Sequence, residues 1–505
     1  MAWVTPTTTV EVELSGVGGG WTDISTDLTT DPITFEYGIR SYRPEDRCAS
    51  AGPIRFGLRN DSQNSGSQLG YYSPYHASRR TGWAKGARVR VKQVYSGTTR
   101  YKMGRISDII VEPGEFEGRR VQVVAMDWMD EAARSNAPTA LQQSKRSDEV
   151  FSAILALVTN QPAASSISTG KDTYIWALDN VGSETKALTQ FADLSRSELG
   201  YIFSKRDATV GETLTFENRH VRVAIATTLV TLSNTMHELT LPDRRDDTLN
   251  RFRVTTHPRK TTNYTSITLA QIDAAYQSAI SPGESYTVFL DYTDPAQRDT
   301  KLGGYNQVTP VAGTDYIMTA NQDGTGAVLT ADFTVTPTYS GSAVKFVITN
   351  NGTTPGYIRT LQLRGDGIFA QNPVISEAST GGADNLAEID MIMQNDPYVG
   401  SGAAAYLAGL YSSGLSNVQK VTFCANQSDT LMTAAITGEI SSRVALVETV
   451  SGLLSTQLYY INGIAIEIDE FEKMNVTWWL TPADTAAYWI LDTATLDLGT
   501  RLAYL

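Results

Sequence analysis

The sequence contains one pattern of three strands twice, near its two ends. The first copy reads RVRVKQV (Arg88–Val94), YKMGRISDI (Tyr101–Ile109) and RRVQVVAMDW (Arg119–Trp128), and the second reads SRVALVE (Ser442–Glu448), YYINGIAIEI (Tyr459–Ile468) and MNVTWWLTP (Met474–Pro482). Each copy predicts a strand opened by a basic residue, a strand built around a glycine, and a strand of alternating large residues. Both copies have the same 33-position spacing, measured from Arg88 to Val121 and from Arg443 to Val476. Two similar small β-barrels in one chain indicate a building block that uses pseudo-symmetry.

The chain of 505 residues is too long for one hydrophobic core. We predict a multidomain α+β protein with two similar small β-barrels, α+β domains between them, and an inserted β-sandwich. The predicted divisions are an N-terminal arm with the first barrel (1–135), an α+β domain (138–262), the sandwich (263–380), a helical or α+β segment (381–415) and the second barrel (416–505).

Helical spacing predicts the elements between the barrels. Asp148–Asn160 is amphipathic, with one apolar face formed by Phe151, Ile154, Leu155 and Val158. A second helix is predicted between Ser183 as N-cap and Gly200 as C-cap, followed by a hairpin that turns near Gly211. Two further helices are predicted in Asn385–Asp396 and Gly400–Leu415. Short alternating strands separated by glycine-rich turns predict the sandwich.

The charge balance limits the partners. A net charge of −13 argues against a general nucleic-acid coat, because such a coat needs Lys and Arg to displace counterions. The first barrel still carries a local basic patch, formed by Arg79, Arg80, Lys85, Arg88, Arg90 and Lys92. We interpret this patch as a solvated strand edge, since basic side chains discourage edge-to-edge aggregation.

The two cysteines, Cys48 and Cys424, form no CxxC pattern. Their scarcity favours a reducing compartment over a disulfide framework. The N-terminal sequence has no basic stretch followed by a long apolar run, so we predict no secretory signal and expect synthesis in the cytoplasm.

No constellation of residues predicts catalysis. The histidines stand outside HExxH-like pairs; they are His76, His220, His237 and His257. A GxSxG elbow and a P-loop are both missing from the sequence. We therefore expect no enzyme, no catalytic residue, no cofactor and no metal.

Two acidic runs in the sequence are candidate sites. The first places Asp243, Asp246 and Asp247 beside Arg244 and Arg245. We interpret it as a salt-bridge cluster rather than the paired carboxylates of a hydrolase. The second comprises Glu467, Asp469, Glu470 and Glu472. It lacks EF-hand-like spacing, so we interpret it as a solvated loop rather than a calcium site.

Aromatic residues suggest sugar contacts at two places. Trp478 and Trp479 are neighbours on a strand and therefore point to opposite faces, so one of them must face a core. In the sandwich the candidate glycan contacts are Tyr316, Tyr339 and Tyr357, although tyrosine is equally a usual strand residue.

Three sets of segments carry a resemblance to a known family. They are ITFEYGIRS (Ile33–Ser41) with GPIRFGLRN (Gly52–Asn60) and Met103–Asp130, then Ile167–His220, and finally Tyr459–Asp492 with its Trp-containing last strand. Together they resemble the baseplate hub, or tail-associated (minor tail) protein, of long-tailed siphophages. No catalytic signature is among them, so the match is to a fold and an assembly role. The sandwich lies outside the core resemblance.

The resemblance implies a structural virion protein at the distal end of a tail. A homotrimeric ring would carry six similar barrels and thereby match a six-fold tube. The ring-forming strands would be those of Arg88, Val89, Arg90, Val91, Arg443, Val444 and Leu446. The hub would close the tube, contact the tape-measure protein, the distal tail protein and other tail-tip proteins, and open so that genome DNA passes through its lumen.

Two other functions stay open at the level of sequence. The first is a host-surface carbohydrate-binding adhesin that acts through residues 263–380. The second is a tail-tip hydrolase that cuts the host cell wall, for which no peptidase or glycosidase motif is visible.

Overall fold

The computed structural model describes residues 3–114, 119–181, 184–240, 249–261, 267–272, 279–297, 300–381, 385–411, 418–451, 453–483, 487–489 and 500–502. In these ranges the chain is mostly β, with several sheets and five α-helices. The predicted mixture of helices and sheets is therefore present, but strands dominate it.

The N-terminal region contributes seven strands to the main sheet. They are β1 (Thr7–Val12), β2 (Thr22–Asp23), β3 (Ile33–Gly38), β4 (Pro53–Arg59), β5 (Arg88–Tyr95), β6 (Thr98–Glu112) and β7 (Arg120–Met126). Strands β3 to β7 pair in the order β3-β4-β7-β6-β5 and are called the first lobe. Buried residues alternate along β5, where Val89 and Val91 face the core, because successive side chains of a strand point to opposite faces.

The next region mixes helices and short strands. Its elements are α1 (Trp128–Arg134), β8 (Lys145–Arg146), α2 (Ser147–Ala156), β9 (Ala164–Ile167), β10 (Thr173–Tyr174), α3 (Ala187–Glu198), β11 (Tyr201–Lys205) and β12 (Thr213–Glu217). The helix predicted in Asp148–Asn160 is present but ends at Ala156. Its apolar residues Phe151, Ile154 and Leu155 are buried, and Val158 is buried just beyond its end. The hairpin of β11 and β12 is also confirmed. The predicted N-cap was wrong: α3 starts after Lys186, and Ser183 lies outside the described residues.

Two strands then lead into an inserted region. They are β13 (Thr228–Ser233) and β14 (Met236–Thr240). The inserted region holds β15 (Arg251–Thr256), β16 (Arg259–Thr261), β17 (Ile267–Gln271), β18 (Ser285–Asp291), β19 (Gly303–Tyr305), β20 (Tyr316–Thr319), β21 (Phe333–Tyr339), β22 (Ala343–Asn350), β23 (Tyr357–Ala370), β24 (Val374–Ser379), β25 (Leu386–Met391) and α4 (Pro397–Leu410). The sheet of β18, β22 and β21 shares one hydrophobic core with the sheet built on β23, as two packed layers do.

One predicted helix is a strand. Helical periodicity was expected in Asn385–Asp396, but β25 occupies Leu386–Met391 and pairs parallel with β15. Its burial alternates, with Ala387, Ile389 and Met391 inside the core. A short apolar run fits both the helical and the strand period, and pairing with β15 favours the strand here. The helix predicted in the segment that follows is confirmed as α4.

The C-terminal region repeats the first lobe. Its elements are β26 (Lys420–Cys424), α5 (Asp429–Thr437), β27 (Arg443–Glu448), β28 (Leu453–Ile468), β29 (Met474–Pro482), β30 (Ala487–Trp489) and β31 (Thr500–Leu502). Strands β14, β26, β29, β28 and β27 pair in that order and are called the second lobe. The order along the chain is the same as in the first lobe, so each lobe is one copy of a five-stranded unit.

The two copies agree residue by residue. Adding 355 to the residue numbers of the pairings Arg88↔Arg105 and Arg105↔Met126 gives the pairings of the second lobe, Arg443↔Tyr460 and Tyr460↔Thr481. The register shift in the long strand also recurs, after Ile106 in β6 and after Ile461 in β28. The repeat predicted from the sequence is thus present in the backbone pairing, down to its irregularity.

The lobes are joined in one 13-stranded sheet. Strand β3 of the first lobe pairs with β28 of the second. Among the described strands no ladder closes into a barrel, so the closed barrels stay a prediction. The second lobe is strongly curved. Strand β13 pairs with β27 at one end of this lobe, and β14 pairs with β26 at the other end. Only Asn234 and Thr235 separate β13 from β14 along the chain.

Three hydrophobic cores are present in the described part of the chain. The largest runs through both lobes and the helices α1 to α3, the second fills the inserted two-layer region, and the third lies between α4 and the sheet of β15 and β25. The predicted domain boundaries stay predictions.

Candidate functional site

The junction between the lobes is the first feature of functional interest. Residues Gly463–Ile468 of β28 pair antiparallel with Gly38–Ile33 of β3. Ile464 and Ile466 face the core here, opposite Tyr37 and Phe35, and all four side chains are buried. The junction therefore has a full ladder of strand pairs and a dry apolar face.

A bulge at Asn462 fixes the start of this junction. Its carbonyl accepts the backbone N–H of Ile39 at 2.8 Å, its Nδ2 donates to the carbonyl of Ser41 at 2.9 Å, and its Oδ1 accepts from Arg222 Nη1 at 2.9 Å. Asn462 is fully buried, so its amide is satisfied by partners from two distant parts of the chain. The bulge thus sets the register in which the lobes meet.

The backbones approach closely beside the bulge. A Cβ placed on Gly463 would lie 2.8 Å from the carbonyl oxygen of Ile39. Gly38 has φ +88°, and a Cβ there would lie 2.8 Å from the carbonyl oxygen of Asn462. Glycine is required at both positions, because neither backbone carbonyl can move without breaking the ladder.

A buried guanidinium ties the first lobe to α5. Arg206 Nε donates to Glu439 Oε1 at 2.7 Å, Nη1 donates to Gln93 Oε1 at 3.1 Å, and Nη2 donates to the carbonyl of Gly438 at 2.8 Å. The Tyr37 hydroxyl also donates to Glu439, at 3.1 Å. Burial raises the pKa of Tyr37 well above its ordinary value, so this hydroxyl keeps its proton. The cluster is a structural lock, because Arg206 is 2% exposed and no ligand reaches it.

Asp207, beside this guanidinium, holds the turn of the β11–β12 hairpin. Its Oδ1 accepts the backbone N–H groups of Thr209, Val210 and Gly211 at 2.7, 2.7 and 2.9 Å. Burial raises the pKa of the Asp207 carboxyl, but these backbone donors and the Thr213 hydroxyl outweigh it, so the pKa is lowered. The carboxylate is charged and stabilises the turn that docks on β6.

A serine–carboxylate pair lies in the helical region. The Ser147 hydroxyl donates to Glu198, and the Tyr174 hydroxyl lies 3.2 Å from Ser147 Oγ. Burial raises the pKa of Glu198, and the nearby Arg219, held by Asp172, opposes that rise. Ser147, Glu198 and Tyr174 are all fully buried. The pair therefore packs the interior and is inaccessible to a substrate.

The predicted ring-forming residues lie inside the sheet. Strand β5 carries Arg88, Val89, Arg90 and Val91 and is paired on both sides, by β1 and β6. Strand β27 carries Arg443, Val444 and Leu446 and is likewise paired, by β13 and β28. The valines and the leucine are buried. The backbone edges of these strands are consequently occupied within one chain, and the predicted ring contact through them stays untested.

Three residues of the basic patch face acidic residues in or directly after strand β1. Arg88 Nε lies 2.6 Å from Glu13 Oε2, and Arg90 Nε lies 2.6 Å from Glu11 Oε2. Lys92 lies 3.9 Å from the other Glu11 oxygen. Strand β1 therefore supplies counter-charges, and this surface is not a free phosphate-binding stripe.

The candidate glycan contacts lie on two different sheets. Tyr316 and Tyr357 lie on β20 and β23 of one sheet, whereas Tyr339 lies on β21 of the other. Tyr339 pairs with Val344, which is buried in the core, so it shares the core face of its sheet. The three tyrosines thus belong to two different sheets, Tyr339 is exposed, and their use as glycan contacts stays a prediction.

No group of three or more His, Cys, Asp or Glu side chains suited to a metal occurs in the described residues. Asp469 accepts the backbone N–H groups of Phe471 and Lys473, so it holds a turn. His257 Nε2 lies 2.6 Å from Asp390 Oδ1 on an exposed surface. The carboxylates around Asp243 lie outside the described residues.

The expected aromatic packing is present at one tryptophan. Trp478 is fully buried and packs edge-on against Phe423, with ring centroids 4.7 Å apart, while Trp479 is half-buried.

No helix in the part of the chain that the structure describes is long and apolar enough to cross a membrane.

Sequence reasoning missed the residues that lock the lobes together. Arg206 and Glu439 are 233 positions apart, and Arg222 and Asn462 are 240 apart. One signal was visible: Gly38 and Gly463 stand inside strand patterns, which indicates close backbone approach.

Comparison with known proteins gives structural neighbours of low similarity. No family model and no curated protein matches the sequence. The 43 kDa tail protein of prophage MuSo2 from Shewanella oneidensis is 9% identical, with a TM-score of 0.46 over 95% of this chain and 100% of that chain. A tail protein from Neisseria meningitidis is 9% identical, with a TM-score of 0.45 over 94% of this chain and 96% of that chain. The prophage tail protein gp18 from Listeria monocytogenes is 7% identical, with a TM-score of 0.42 over 94% of each chain. These neighbours are tail proteins, but at such scores the likeness decides neither fold nor function.

Proposed function

We propose that the protein is a structural component of a bacteriophage tail, acting as the hub of a siphophage tail tip. The observation that carries the proposal is the duplicated five-stranded unit, whose two copies join edge to edge in one sheet. A unit of two equivalent lobes lets a three-fold assembly present six similar positions. A trimer of two-lobed chains therefore fits the end of a six-fold tube. A chain with a single lobe would need six copies to present the same number of positions.

The interior of the lobes supports a mechanical function. Arg206 binds Gln93 of the first lobe and Glu439 after α5, and Arg222 binds Asn462 of the second lobe, both at buried positions. We propose that these buried charges serve the specificity of the arrangement more than its stability. The lobes are therefore held in one relative orientation, as a ring-building part requires.

In the proposed function the hub closes the tail tube before infection and contacts the tape-measure protein and the distal tail protein. A rearrangement at the host surface opens it, and genome DNA passes through. The predicted sandwich at 263–380 extends the hub toward other tip proteins. Its use as a glycan-binding adhesin is the alternative, with Tyr316, Tyr339 and Tyr357 as the candidate contacts.

We also propose that the protein is not an enzyme. The serine–carboxylate pair is sealed in the core, so it offers no hydroxyl nucleophile to a substrate. A peptidoglycan-release assay with the purified chain tests this, and measurable release would contradict it.

Immunogold labelling of purified phage particles tests the location. Antibody against the chain is expected to label the tail at the end distal to the capsid, and mass spectrometry should find the chain in the same particles. A chain that is missing from particles, or labelling along the whole tail, would refute the hub function.

A further inference from the structure

A small cavity lies where both lobes meet the inserted region. Its volume is ≈ 30 Å³, and its walls come from separate parts of the chain. The loop between β3 and β4 supplies Arg47, and the segment after β12 supplies Arg219 and Arg222. Strand β29 supplies Thr481, and α4 closes another side with Leu407. Because one water needs about 10 to 15 Å³, the cavity has room for water or one small ion, and not for a sugar ring.

Two polar atoms in this wall have no partner. Arg222 is anchored through Nε, which donates to Ser441 Oγ at 3.0 Å, and through Nη1, which donates to Asn462 Oδ1 at 2.9 Å. These two bonds fix the plane of its guanidinium, and the remaining Nη2 is buried without a hydrogen-bond partner among the described residues. Thr481 Oγ1 is buried in the same state. Buried donors without partners are rare and costly, so the cavity is expected to hold an acceptor.

The lining carries three guanidinium groups and, among the described residues, no carboxylate. The acidic partners of two of these groups stand outside the lining. Arg219 Nη2 donates to Asp172 Oδ1 at 3.0 Å, and Glu198 lies 3.9 Å from Arg219. Arg222 Nε lies 3.5 Å from Glu217. The surface of the cavity is therefore positively charged.

The third guanidinium, that of Arg47, has no counter-charge. Its Nε donates to the carbonyl of Pro44 and its Nη1 to the carbonyl of Leu199, both at 2.8 Å. It forms no ion pair with a carboxylate in the described part of the chain, although Arg47 is only 5% exposed. Buried charges are normally paired, because an isolated one loses its hydration without compensation.

The ring of Tyr201 brings two of these cations together. The guanidinium carbon of Arg222 lies 3.3 Å from the ring centroid and that of Arg47 lies 4.9 Å from it. Burial raises the pKa of the Tyr201 hydroxyl, but Arg47 and Arg222 outweigh burial, so the pKa is lowered. Negative charge is thus favoured at this place, and an anion satisfies the wall better than water does.

We propose that the cavity binds one monatomic anion of the size of chloride, held by Arg222 Nη2, the Thr481 hydroxyl and the charge of Arg47. Charge-assisted hydrogen bonds to such an ion satisfy the two buried donors. The ion also supplies the counter-charge that Arg47 lacks. Because its ligands come from the β3–β4 loop, the segment after β12 and β29, the bound ion ties the second lobe to the loop that leaves β3.

A chloride titration of the full-length protein tests the site. Sodium chloride replaces sodium gluconate at constant ionic strength, since gluconate is too large for the cavity, and calorimetry records the melting temperature. We expect a saturable rise, because a ligand that binds only the folded state stabilises it. At about one hundred times its Kd, the rise amounts to roughly 2 to 3 °C for a chain of 505 residues. A melting temperature that stays constant or falls with chloride would overturn the proposal.

The variant Thr481→Val separates binding from general salt effects. In gluconate it should melt at or above the temperature of the native protein, because it removes an unpartnered hydroxyl at constant shape. In chloride it should bind at least about tenfold more weakly and melt below the native protein. Thr9→Val is the matched control, because Thr9 on β1 also has a buried hydroxyl without a partner in the described residues and does not line the cavity. Equal chloride responses of the two variants would contradict the site.

Bromide gives a direct readout of position. In crystals grown with sodium bromide, anomalous scattering is expected to show one peak beside Arg222 Nη2 and Thr481 Oγ1. Density there without an anomalous signal would identify water and overturn the proposal. Either result leaves the proposed hub function untouched, because the ion is a structural ligand within one chain.

Discussion

Truncation of Arg206 should loosen the attachment of the first lobe to the rest of the molecule. Arg206→Ala removes five hydrogen bonds, to Glu439, Gln93 and three backbone carbonyls near the end of α5. It also leaves the Glu439 carboxylate without its buried cation. Removing one partner of a buried ion pair costs about 3 to 5 kcal/mol.

The expected change in melting temperature follows from the size of the chain. An unfolding entropy of about 2.1 cal/mol/K per residue gives about 1 kcal/mol/K for one cooperative unit of 505 residues. The loss therefore corresponds to a fall of roughly 3 to 5 °C, and to a larger fall if the lobes unfold as a smaller unit. Differential scanning calorimetry at neutral pH measures it.

A double-mutant cycle separates the ion pair from other effects of truncation. Arg206→Met with Glu439→Gln removes both charges and should cost less than the sum of the single variants, by about 1 to 3 kcal/mol. A strictly additive cycle, or a single Arg206→Ala variant within about 1 °C of the native protein, would refute the claim that this guanidinium locks the lobes.

Three further predictions concern the junction, the core and the hairpin turn. Gly463→Ala should cost at least about 1 to 3 kcal/mol, because its Cβ would press on the carbonyl of Ile39, whereas the control Gly402→Ala in α4 meets open space and should be neutral or stabilising in the same denaturation assay. Trp478→Ala should cost about 3 to 5 kcal/mol in that assay, and a cost under 1 kcal/mol would contradict its place in the core. The pKa of Asp207 is lowered in the fold, so its contribution is present above pH 4 and lost as the pH falls through the folded value. Asp207→Asn should therefore be less stable than the native protein at pH 7, and the stability difference should narrow as the pH falls below 4. A difference that stays constant from pH 7 down to the lowest pH at which both proteins are folded would count against this.

The repeat was predictable because its signal is local. Alternating residues such as Val89 and Val91 in one copy, and the equal spacing of Arg88–Val121 and Arg443–Val476, are properties of the sequence alone. Strand pairing then follows, since the period of two fixes which face is buried. The structure confirms this spacing as a common register in both lobes.

The features that the sequence did not predict depend on partners far away along the chain. The segment at Leu386–Met391 was expected to be helical, and its pairing with β15, more than a hundred positions earlier, made it a strand. The lock around Arg206 joins positions 93, 206 and 439, so no local pattern reveals it.

The mass of the purified full-length protein in solution tests the central claim most directly. Light scattering across a concentration series is expected to reach three times 55.0 kDa, because the proposed hub is a three-fold ring in which two equivalent lobes per chain give six similar positions. A constant mass of 55.0 kDa, or a limiting dimer, would contradict the account of this chain as a ring-building unit.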